Sequence, residues 1–246
     1  MHQQEPPQEK IDSVIALFSG GQAQEAIDSI EALIEDYPDE AILHNISGAC
    51  YASLGQLDTA IKHYEKSLLI NPNYAEAHNN LGGTLHELGQ LDAAVKSYEQ
   101  AIAIKPDYGE AFNNLGIALK ELAQLDTAVK SYEKVLAIRP DFAEAHYNLG
   151  VTLQELGQLD AAVKSYEQAI AIKPDYVNAC NNLGVTLQEL GQLDAAVKSY
   201  EQAIAIKPDY AEAHYNLGNA LKNIGQLGAA VKCYEKAVAI KPDYAD

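Results

Sequence analysis

Apolar residues along the chain recur at helical spacing, and turn-forming residues interrupt them at regular intervals. One helical face, with residues spaced three or four apart, is formed by His78, Leu81, Gly82, Leu85 and Leu88. The pair Gly89-Gln90 breaks this pattern and supplies a turn. A second helical face follows and is formed by Leu91, Ala94, Val95, Tyr98, Ala101, Ile102 and Ile104. The pattern predicts two short helices joined by a tight turn.

The second helix has a clear stop signal. Pro106 follows its last apolar residue, and a proline ring does not continue an α-helix. Asp107 comes next, immediately before another helical pattern, where its carboxylate is expected to cap unpaired amide groups. The residues around position 106 therefore predict a short link between two helix pairs.

This helix pair is one unit of an internal repeat. The string LGQLDAAVKSYEQAIAIKPDY occurs three times unchanged, beginning at Leu88, Leu156 and Leu190. With Ala75 as slot 1 of a 34-residue unit, the units are 7–40, 41–74, 75–108, 109–142, 143–176, 177–210 and 211–244. The first unit is degenerate, and residues 1–6 form a polar, flexible leader before the array, which runs over 7–246. The predicted fold is all-α, with seven antiparallel helix pairs that bury their apolar faces against neighbouring pairs.

Three slots predict how the helices pack and turn. Small residues recur at slot 8, which is Gly48, Gly82, Gly116, Gly150, Gly184 and Gly218. A large residue recurs at slot 24, which is Tyr64, Tyr98, Tyr132, Tyr166, Tyr200 and Tyr234. Small residues against large ones at fixed spacing let two helices interlock. Slot 15 is glycine in every unit except one, where Ala123 stands, and a left-handed backbone is expected there.

These offsets resemble those of the tetratricopeptide repeat family. The resemblance rests on the 34-residue period and on Leu81-Gly82, Ala94, Tyr98, Ala101 and Pro106 in the third unit. It covers residues 41–244 strongly and 7–40 weakly. It implies a right-handed α-solenoid in which the first helix of each pair lines the concave side.

A row of asparagines recurs on the polar face of the first helices. Slot 6, called the asparagine row below, is Asn80, Asn114, Asn148, Asn182 and Asn216. Slot 5 beside it includes Asn79, Asn113, Tyr147, Asn181 and Tyr215. An amide donates and accepts, so it can pair with both groups of an extended peptide backbone. The row resembles the asparagine ladder in the repeat domain of O-linked N-acetylglucosamine transferases, which holds an extended polypeptide. Two alternatives are a copied residue with no role and a bond to the same helix or the adjacent repeat.

Acidic residues flank the asparagine row. Slot 2 carries Glu76, Glu110, Glu144 and Glu212, and slot 13 carries Glu87, Glu121, Glu155 and Glu189. Lys120 and Lys222 are the only bases of this face in units three to seven. The face is therefore expected to favour basic or polar peptides. The alternative is that these charged side chains only solvate the helix face. Tyr147 and Tyr215 would add preference for particular side chains.

Charge and composition exclude several classes of partner. Asp plus Glu number 35 against 17 Lys plus Arg, a net charge of −18, which disfavours nucleic acid and anionic membranes. No apolar run reaches membrane-spanning length, and no signal peptide is visible at the N-terminus. The three scattered cysteines, Cys50, Cys180 and Cys233, fit a reducing, cytoplasmic compartment.

No residue constellation indicates catalysis, a cofactor or a metal. His44, His78, His146 and His214 occupy slot 4, which elsewhere holds Phe112 or Cys180, so they are interpreted as packing residues. Successive copies are a whole repeat apart, too far to share one metal ion. The sequence shows no nucleophile with a paired base and no phosphate-binding loop. We therefore expect a protein that is not an enzyme and has no cofactor.

Three functions remain open from the sequence. The leading one is a scaffold that binds an extended peptide in a concave groove. The second is a substrate-recruiting domain of a larger glycosyltransferase or sulfotransferase, since bacterial arrays of this character often precede such domains. The third is self-association through the last repeat, whose apolar residues Leu217, Leu221, Val231 and Tyr234 no further repeat would cover.

Overall fold

A computed structural model describes residues 6–242, which form fourteen α-helices and no strand. The helices are α1 Gln8–Ser19, α2 Ala23–Asp36, α3 Ala41–Ser53, α4 Leu57–Ile70, α5 Ala75–Glu87, α6 Leu91–Ile104, α7 Gly109–Glu121, α8 Leu125–Ile138, α9 Ala143–Glu155, α10 Leu159–Ile172, α11 Val177–Glu189, α12 Leu193–Ile206, α13 Ala211–Asn223 and α14 Leu227–Ile240. This all-α architecture is that of an α-solenoid of about seven helix pairs, as predicted. The leader predicted at 1–6 falls, except for Pro6, outside the described residues.

The chain divides into two compact units, one ending at Leu122 and one beginning at Ala123. In the first unit, each helix from α1 to α7 packs against the next, and α3 also contacts α1 and α5, as α5 contacts α7. In the second unit, α8 to α14 pack in the same serial way, and α11 also contacts α9 and α13. Successive first helices therefore lie close together within each unit.

The predicted interlocking of glycine and tyrosine is confirmed in five of the helix pairs. A Cβ atom added to Gly82 would lie 2.6 Å from Cε1 of Tyr98, and one added to Gly184 would lie 2.5 Å from Cε1 of Tyr200. The same contact occurs in the pairs Gly48–Tyr64, Gly150–Tyr166 and Gly218–Tyr234. The tyrosine rings occupy the volume that the glycines leave, which holds the two helices of a pair close together.

The turn inside each pair uses a left-handed residue, as predicted. Gly89 has φ of +72°, and the equivalent glycines have similar values. Ala123 adopts the same conformation with φ of 57°, and it is the one non-glycine residue of the described chain with positive φ. This backbone disfavours any residue with a Cβ atom, so Ala123 is strained.

Four of the links between pairs are held by histidine, and the aspartate cap predicted for the link before α7 does not form. His44 Nε2 lies 2.9 Å from the carbonyl oxygen of Pro38, and the same bond joins His78 to Pro72, His146 to Pro140 and His214 to Pro208. The cap prediction for Asp107 is wrong: Tyr108 precedes α7, no side chain caps that helix, and Asp107 is exposed. The slot-4 histidines are therefore partly or fully buried packing residues, as interpreted, and they also fix the entry to the next repeat.

The last pair covers more of its own apolar surface than the sequence predicts. Leu217 and Leu221 are buried, so the prediction that they lie uncovered is wrong, because α14 folds back over α13. Val231 is 52% exposed, and Tyr234 is partly exposed, in agreement with the prediction. Leu227 is 63% exposed as well. The exposed and partly exposed residues of this set therefore lie on α14.

Candidate peptide-binding face

In the first unit, the asparagine row is hydrogen-bonded to the preceding repeat. Asn80 Nδ2 donates to Oδ1 of Asn45 over 3.0 Å, and Asn114 Nδ2 donates to Oδ1 of Asn79 over 3.2 Å. Each bond runs from slot 6 of one first helix to slot 5 of the previous first helix. Both Asn80 and Asn114 remain partly exposed.

The second unit repeats this pattern with one substitution. Asn216 Nδ2 donates to Oδ1 of Asn181 over 3.2 Å, and Asn182 Nδ2 donates to the hydroxyl of Tyr147 over 3.2 Å. Asn182 and Asn216 are partly exposed, like their counterparts in the first unit. Asn148 is partly exposed and engaged as well.

These bonds are the contacts with the adjacent repeat that the sequence left open as an alternative to a peptide ladder. A single amide N–H from each of four row members is used to join adjacent first helices. Donor and acceptor are about one repeat apart in the sequence and lie on neighbouring helices, which single-helix periodicity does not reveal. The carbonyl Oδ1 atoms of Asn80, Asn114 and Asn216 have no hydrogen-bond partner within residues 6–242. These oxygens are acceptors held in fixed positions.

The slot-5 asparagines lie beneath the row instead of on its surface. Asn79, Asn113 and Asn181 are all buried. Asn181 Nδ2 also reaches Oε1 of Glu212 over 3.3 Å. These residues therefore position the row and its neighbouring carboxylate, and they do not themselves present a surface to a guest.

The predicted acidic residues of slot 2 are exposed or partly exposed. Glu110, Glu144 and Glu212 are exposed. Glu76 is partly exposed and forms an ion pair with Lys105, whose Nζ is 3.3 Å from Oε1. Of the two predicted bases, Lys222 is exposed and Lys120 is partly buried.

An aromatic group adjoins the row in the second unit. The Tyr147 ring lies 4.9 Å from the Tyr176 ring and 6.0 Å from the Tyr166 ring, measured between centroids. Burial raises the pKa of Tyr147, the hydrogen bond from Asn182 lowers it, and the charge of Glu212 raises it. Burial, Tyr147 and Glu144 together raise the pKa of Tyr176 to about 12. The hydroxyls are therefore neutral at physiological pH. The Lys173 ammonium already lies over the Tyr176 ring, with Nζ 5.2 Å from its centroid.

A second set of links runs along the C-terminal ends of the first helices. His86 Nε2 lies 3.1 Å from Oε2 of Glu121 in the first unit. Gln154 Nε2 donates to Oε1 of Glu189 over 3.1 Å in the second unit. Both join slot 12 to slot 13 of the next repeat. The Glu189 carboxylate is therefore hydrogen-bonded inside the stack, whereas the Glu121 carboxylate lies beside His86 without a hydrogen bond to it.

Sequence reasoning missed a polar cluster in the second repeat. The Tyr51 hydroxyl donates to Glu31, and the Tyr51 ring stacks on His63 with centroids 5.1 Å apart. The His63 ring lies 6.0 Å from the His44 ring. Slots 11 and 23 hold leucine and serine or cysteine in the later repeats, so this departure from the repeat pattern was visible in the sequence. Burial lowers the pKa of His63, as does the neighbouring His44.

Three further observations on the described residues concern metal ligands, membrane-spanning helices and cysteines. Residues 6–242 contain no group of three or more His, Cys, Asp or Glu side chains arranged to hold a metal ion. None of the described helices is long and apolar enough to cross a bilayer. Cys50, Cys180 and Cys233 are all free thiols.

Comparison with protein families covers almost the whole chain. Residues 14–40, 38–107, 97–130 and 211–244 match models described as tetratricopeptide repeat. Residues 119–157, 153–191 and 187–225 match a model described as TPR repeat. No curated protein matches the sequence.

Solved structures share the fold at low sequence identity. A crystal structure of MamA is 28% identical, with a TM-score of 0.64, over 67% of this chain and 96% of that one. YrrB, described as a TPR protein with an unusual peptide-binding site, is 24% identical, with a TM-score of 0.65, over 75% of this chain and 95% of that one. Pseudomonas aeruginosa pilF is 17% identical, with a TM-score of 0.71, over 82% of this chain and 92% of that one.

Proposed function

Because the chain belongs to the tetratricopeptide repeat family, we propose that it is a protein-interaction scaffold whose first helices bind an extended polypeptide. The observation that carries this proposal is the set of Oδ1 atoms on Asn80, Asn114 and Asn216, which are braced by their own N–H groups and unpaired among the described residues. An acceptor that is already held in one orientation binds a guest N–H group without a further loss of side-chain conformational entropy. The description of YrrB as having a peptide-binding site supports this use of the fold.

The charges of the face favour a basic guest. Glu110, Glu144 and Glu212 are exposed, and Lys222 is the exposed base among the predicted residues. In the second unit, Tyr147 lies close enough to Glu212 for the carboxylate to raise its pKa, so an arginine or lysine side chain would meet both an aromatic ring and a carboxylate there. The neighbouring Tyr176 ring already has Lys173 over it. The proposed guest is therefore an extended peptide with basic side chains, and its binding weakens as salt increases.

The proposal has no catalytic step and requires no cofactor. The free thiols fit a reducing compartment, and we place the protein in the cytoplasm on that ground. A larger enzyme that contains this array would use the same face to recruit a substrate polypeptide.

The test is titration of a fluorescently labelled extended peptide of alternating arginine and serine into the full chain. The double variant Asn114→Ala/Asn216→Ala removes one acceptor from each unit. Two bonds worth roughly 0.5–1.5 kcal/mol each predict an affinity lower by about fivefold or more. Gln202→Ala is the control, because Gln202 is an exposed amide on a second helix.

The expected result is weaker binding by the double variant and unchanged binding by the control. A glutamate–serine peptide of equal length should bind less well than the arginine peptide to the unmodified chain. Equal arginine-peptide affinity in the double variant, or no binding by the unmodified chain, would contradict the proposal.

A further inference from the structure

The asparagine row offers hydrogen-bond acceptors once per repeat, in a repeated orientation. In the first unit, the Oδ1 atoms of Asn80 and Asn114 have no hydrogen-bond partner among residues 6–242, and both Nδ2 groups donate to slot 5 of the preceding first helix. In the second unit, Asn216 has the same arrangement. Oδ1 of Asn182 accepts one long bond there, from Asn181 over 3.5 Å. Because the bonding pattern repeats, neighbouring acceptors of a unit are separated by the distance between adjacent first helices.

That distance is set by direct packing of the first helices. In the first unit α5 contacts α7, and in the second unit α11 contacts α13. The axes of helices in contact lie about 8–10 Å apart. The row therefore presents one acceptor for each such step along a guest peptide.

This step matches one regular conformation of an extended peptide and not the other. In a β-strand, N–H groups on the same side are two residues and about 6.8 Å apart, and the next match is at about 13.6 Å. A polyproline II helix has three residues per turn and rises about 3.1 Å per residue, so N–H groups three residues apart point the same way at about 9.3 Å. The spacing of the row therefore favours polyproline II.

Aromatic rings border the row at the same period, at slot 34, the last slot of each repeat. The Tyr74 hydroxyl accepts from Nδ2 of Asn45, over 3.5 Å, and Asn45 in turn accepts from Asn80. The Tyr176 ring lies 4.9 Å from the ring of Tyr147, which accepts from the row in the second unit. Rings that are partly exposed, each with a lysine or arginine over it, occupy this slot at Tyr108, Phe142, Tyr176 and Tyr210. Aromatic-lined grooves are the surfaces on which proteins bind polyproline II segments.

The acidic residues of slot 2 share this period. Glu110 is exposed in the first unit, and Glu144 and Glu212 are exposed in the second. Side chains at every third position of a polyproline II helix lie along one edge. Basic residues at that spacing would therefore meet the same slot in successive repeats.

We propose that the asparagine row selects a polyproline II segment that carries a basic residue with a free N–H group at every third position. This inference rests on the proposed peptide binding and adds the conformation and the period of the guest. Each Oδ1 atom accepts from one basic residue, and the residues between them need no donor and can be proline. A guest already held in this conformation loses less conformational entropy on binding than a flexible peptide.

The test compares two N-acetylated twelve-residue peptides of identical composition by calorimetric titration into the full chain. One is four copies of Arg-Pro-Pro, whose backbone N–H groups all belong to arginines three residues apart. The other is two copies of Arg-Pro-Arg-Pro-Pro-Pro, in which no two arginines are three residues apart. Loss of two bonds to the row predicts that the second peptide binds more weakly by about fivefold or more.

Two further measurements separate the N–H groups and the row from charge. Ester linkages in place of the two central arginine amides remove two N–H groups and keep every charge, and they should weaken binding by about fivefold or more. In the variant Asn80→Ala/Asn114→Ala/Asn216→Ala, the two isomeric peptides should bind alike. Gln202→Ala is the control and should keep the preference, because Gln202 is exposed on a second helix.

Equal affinity of the two isomers for the unmodified chain, or an ester peptide that binds as well as the amide peptide, would overturn the proposal. A chain that binds the arginine–serine peptide but not the Arg-Pro-Pro peptide would overturn this inference and leave the proposed function standing. A chain that binds neither peptide would overturn both.

Discussion

Gly82 and Tyr98 are in direct contact, and the contact requires that residue 82 have no side chain. A Cβ atom at position 82 would lie 2.6 Å from Cε1 and 2.8 Å from Cδ1 of Tyr98. Tyr98 is buried, so its ring cannot move away into solvent. The glycine next to it in α5, Gly83, has only the Tyr98 hydroxyl near it, at 3.9 Å from such a Cβ atom. Position 82 therefore has no room for a Cβ atom, whereas position 83 in the same helix does.

We predict opposite effects of alanine at these two positions. Alanine is favoured over glycine in a helix by about 1 kcal/mol, and Gly83→Ala should gain a large part of this. Gly82→Ala gains the same helix preference, but the added methyl group forces the Tyr98 ring to shift. Overpacking of this kind costs about 1–3 kcal/mol. Urea unfolding should show Gly83→Ala more stable than the unmodified chain and Gly82→Ala less stable. Equal changes in both variants would contradict the packing interpretation.

Ala123 predicts a stabilising substitution. Its φ of 57° is left-handed, and a residue with a Cβ atom adopts this conformation at a cost of roughly 1–2 kcal/mol. Ala123→Gly should therefore raise the free energy of unfolding by on the order of 1 kcal/mol, after allowance for the greater freedom of glycine in the unfolded chain. The converse change, Gly89→Ala at the same slot with φ of +72°, should lower it by a similar amount. A lower melting temperature for Ala123→Gly would show that the turn is not strained.

The sequence predicts contacts within a repeat better than contacts between repeats. The pairing of Gly82 with Tyr98 and the conformation of Ala123 follow from slots of one unit, because a helix hairpin brings fixed offsets together. The partner of Asn182 does not follow in this way, because it depends on the register between adjacent first helices. Asn182 and Tyr147 are 35 residues apart, one more than the period, and only the packed stack brings them together. Burial of Leu217 was missed for a related reason, since it depends on how far α14 folds over α13.

The His63 cluster predicts acid sensitivity of the first unit. Burial and the nearby His44 lower the pKa of His63 below its ordinary value of 6.5, whereas the charge of Glu31 raises it. His63 therefore binds a proton more readily in the unfolded chain than in the folded chain. The stability that the folded chain has above the ordinary pKa is lost as the pH falls through the lowered pKa. His63→Ser, which introduces the residue common at this slot, should flatten this dependence. Urea unfolding between about pH 7.5 and pH 5.5 measures it.

In that experiment, the unmodified chain should lose stability towards the acidic end, and the variant should lose less. The Tyr51 hydroxyl bonded to Glu31 does not titrate in this range, because the hydrogen bond, burial and the carboxylate charge raise the pKa of Tyr51 to about 12. Identical slopes for the two proteins would mean that His63 does not carry the acid sensitivity.

The Tyr147 hydroxyl is predicted to support both the stability of the helix stack and peptide binding by the asparagine row. Tyr147→Phe removes the oxygen that accepts from Asn182 Nδ2 at 3.2 Å and keeps the ring contacts with Tyr166 and Tyr176. The loss of one hydrogen bond at a partly exposed site should lower the free energy of unfolding by roughly 0.5–1.5 kcal/mol. Asn182 would then rotate more freely, so the affinity for the arginine–serine peptide should fall a few-fold. Urea unfolding and peptide titration measure the two effects.

Tyr176→Phe is the matched control for this variant. Tyr176 belongs to the same aromatic group, and its hydroxyl makes no hydrogen bond within the described residues, so its removal should change stability little. If Tyr147→Phe lowers stability and leaves peptide affinity unchanged, the row braces the stack and Asn182 does not contact the guest. If both properties fall only in Tyr147→Phe, the hydroxyl positions a binding amide, because a ring-packing defect would be shared by the two phenylalanine variants. Unchanged stability in Tyr147→Phe would show that the bond from Asn182 contributes nothing to the stack.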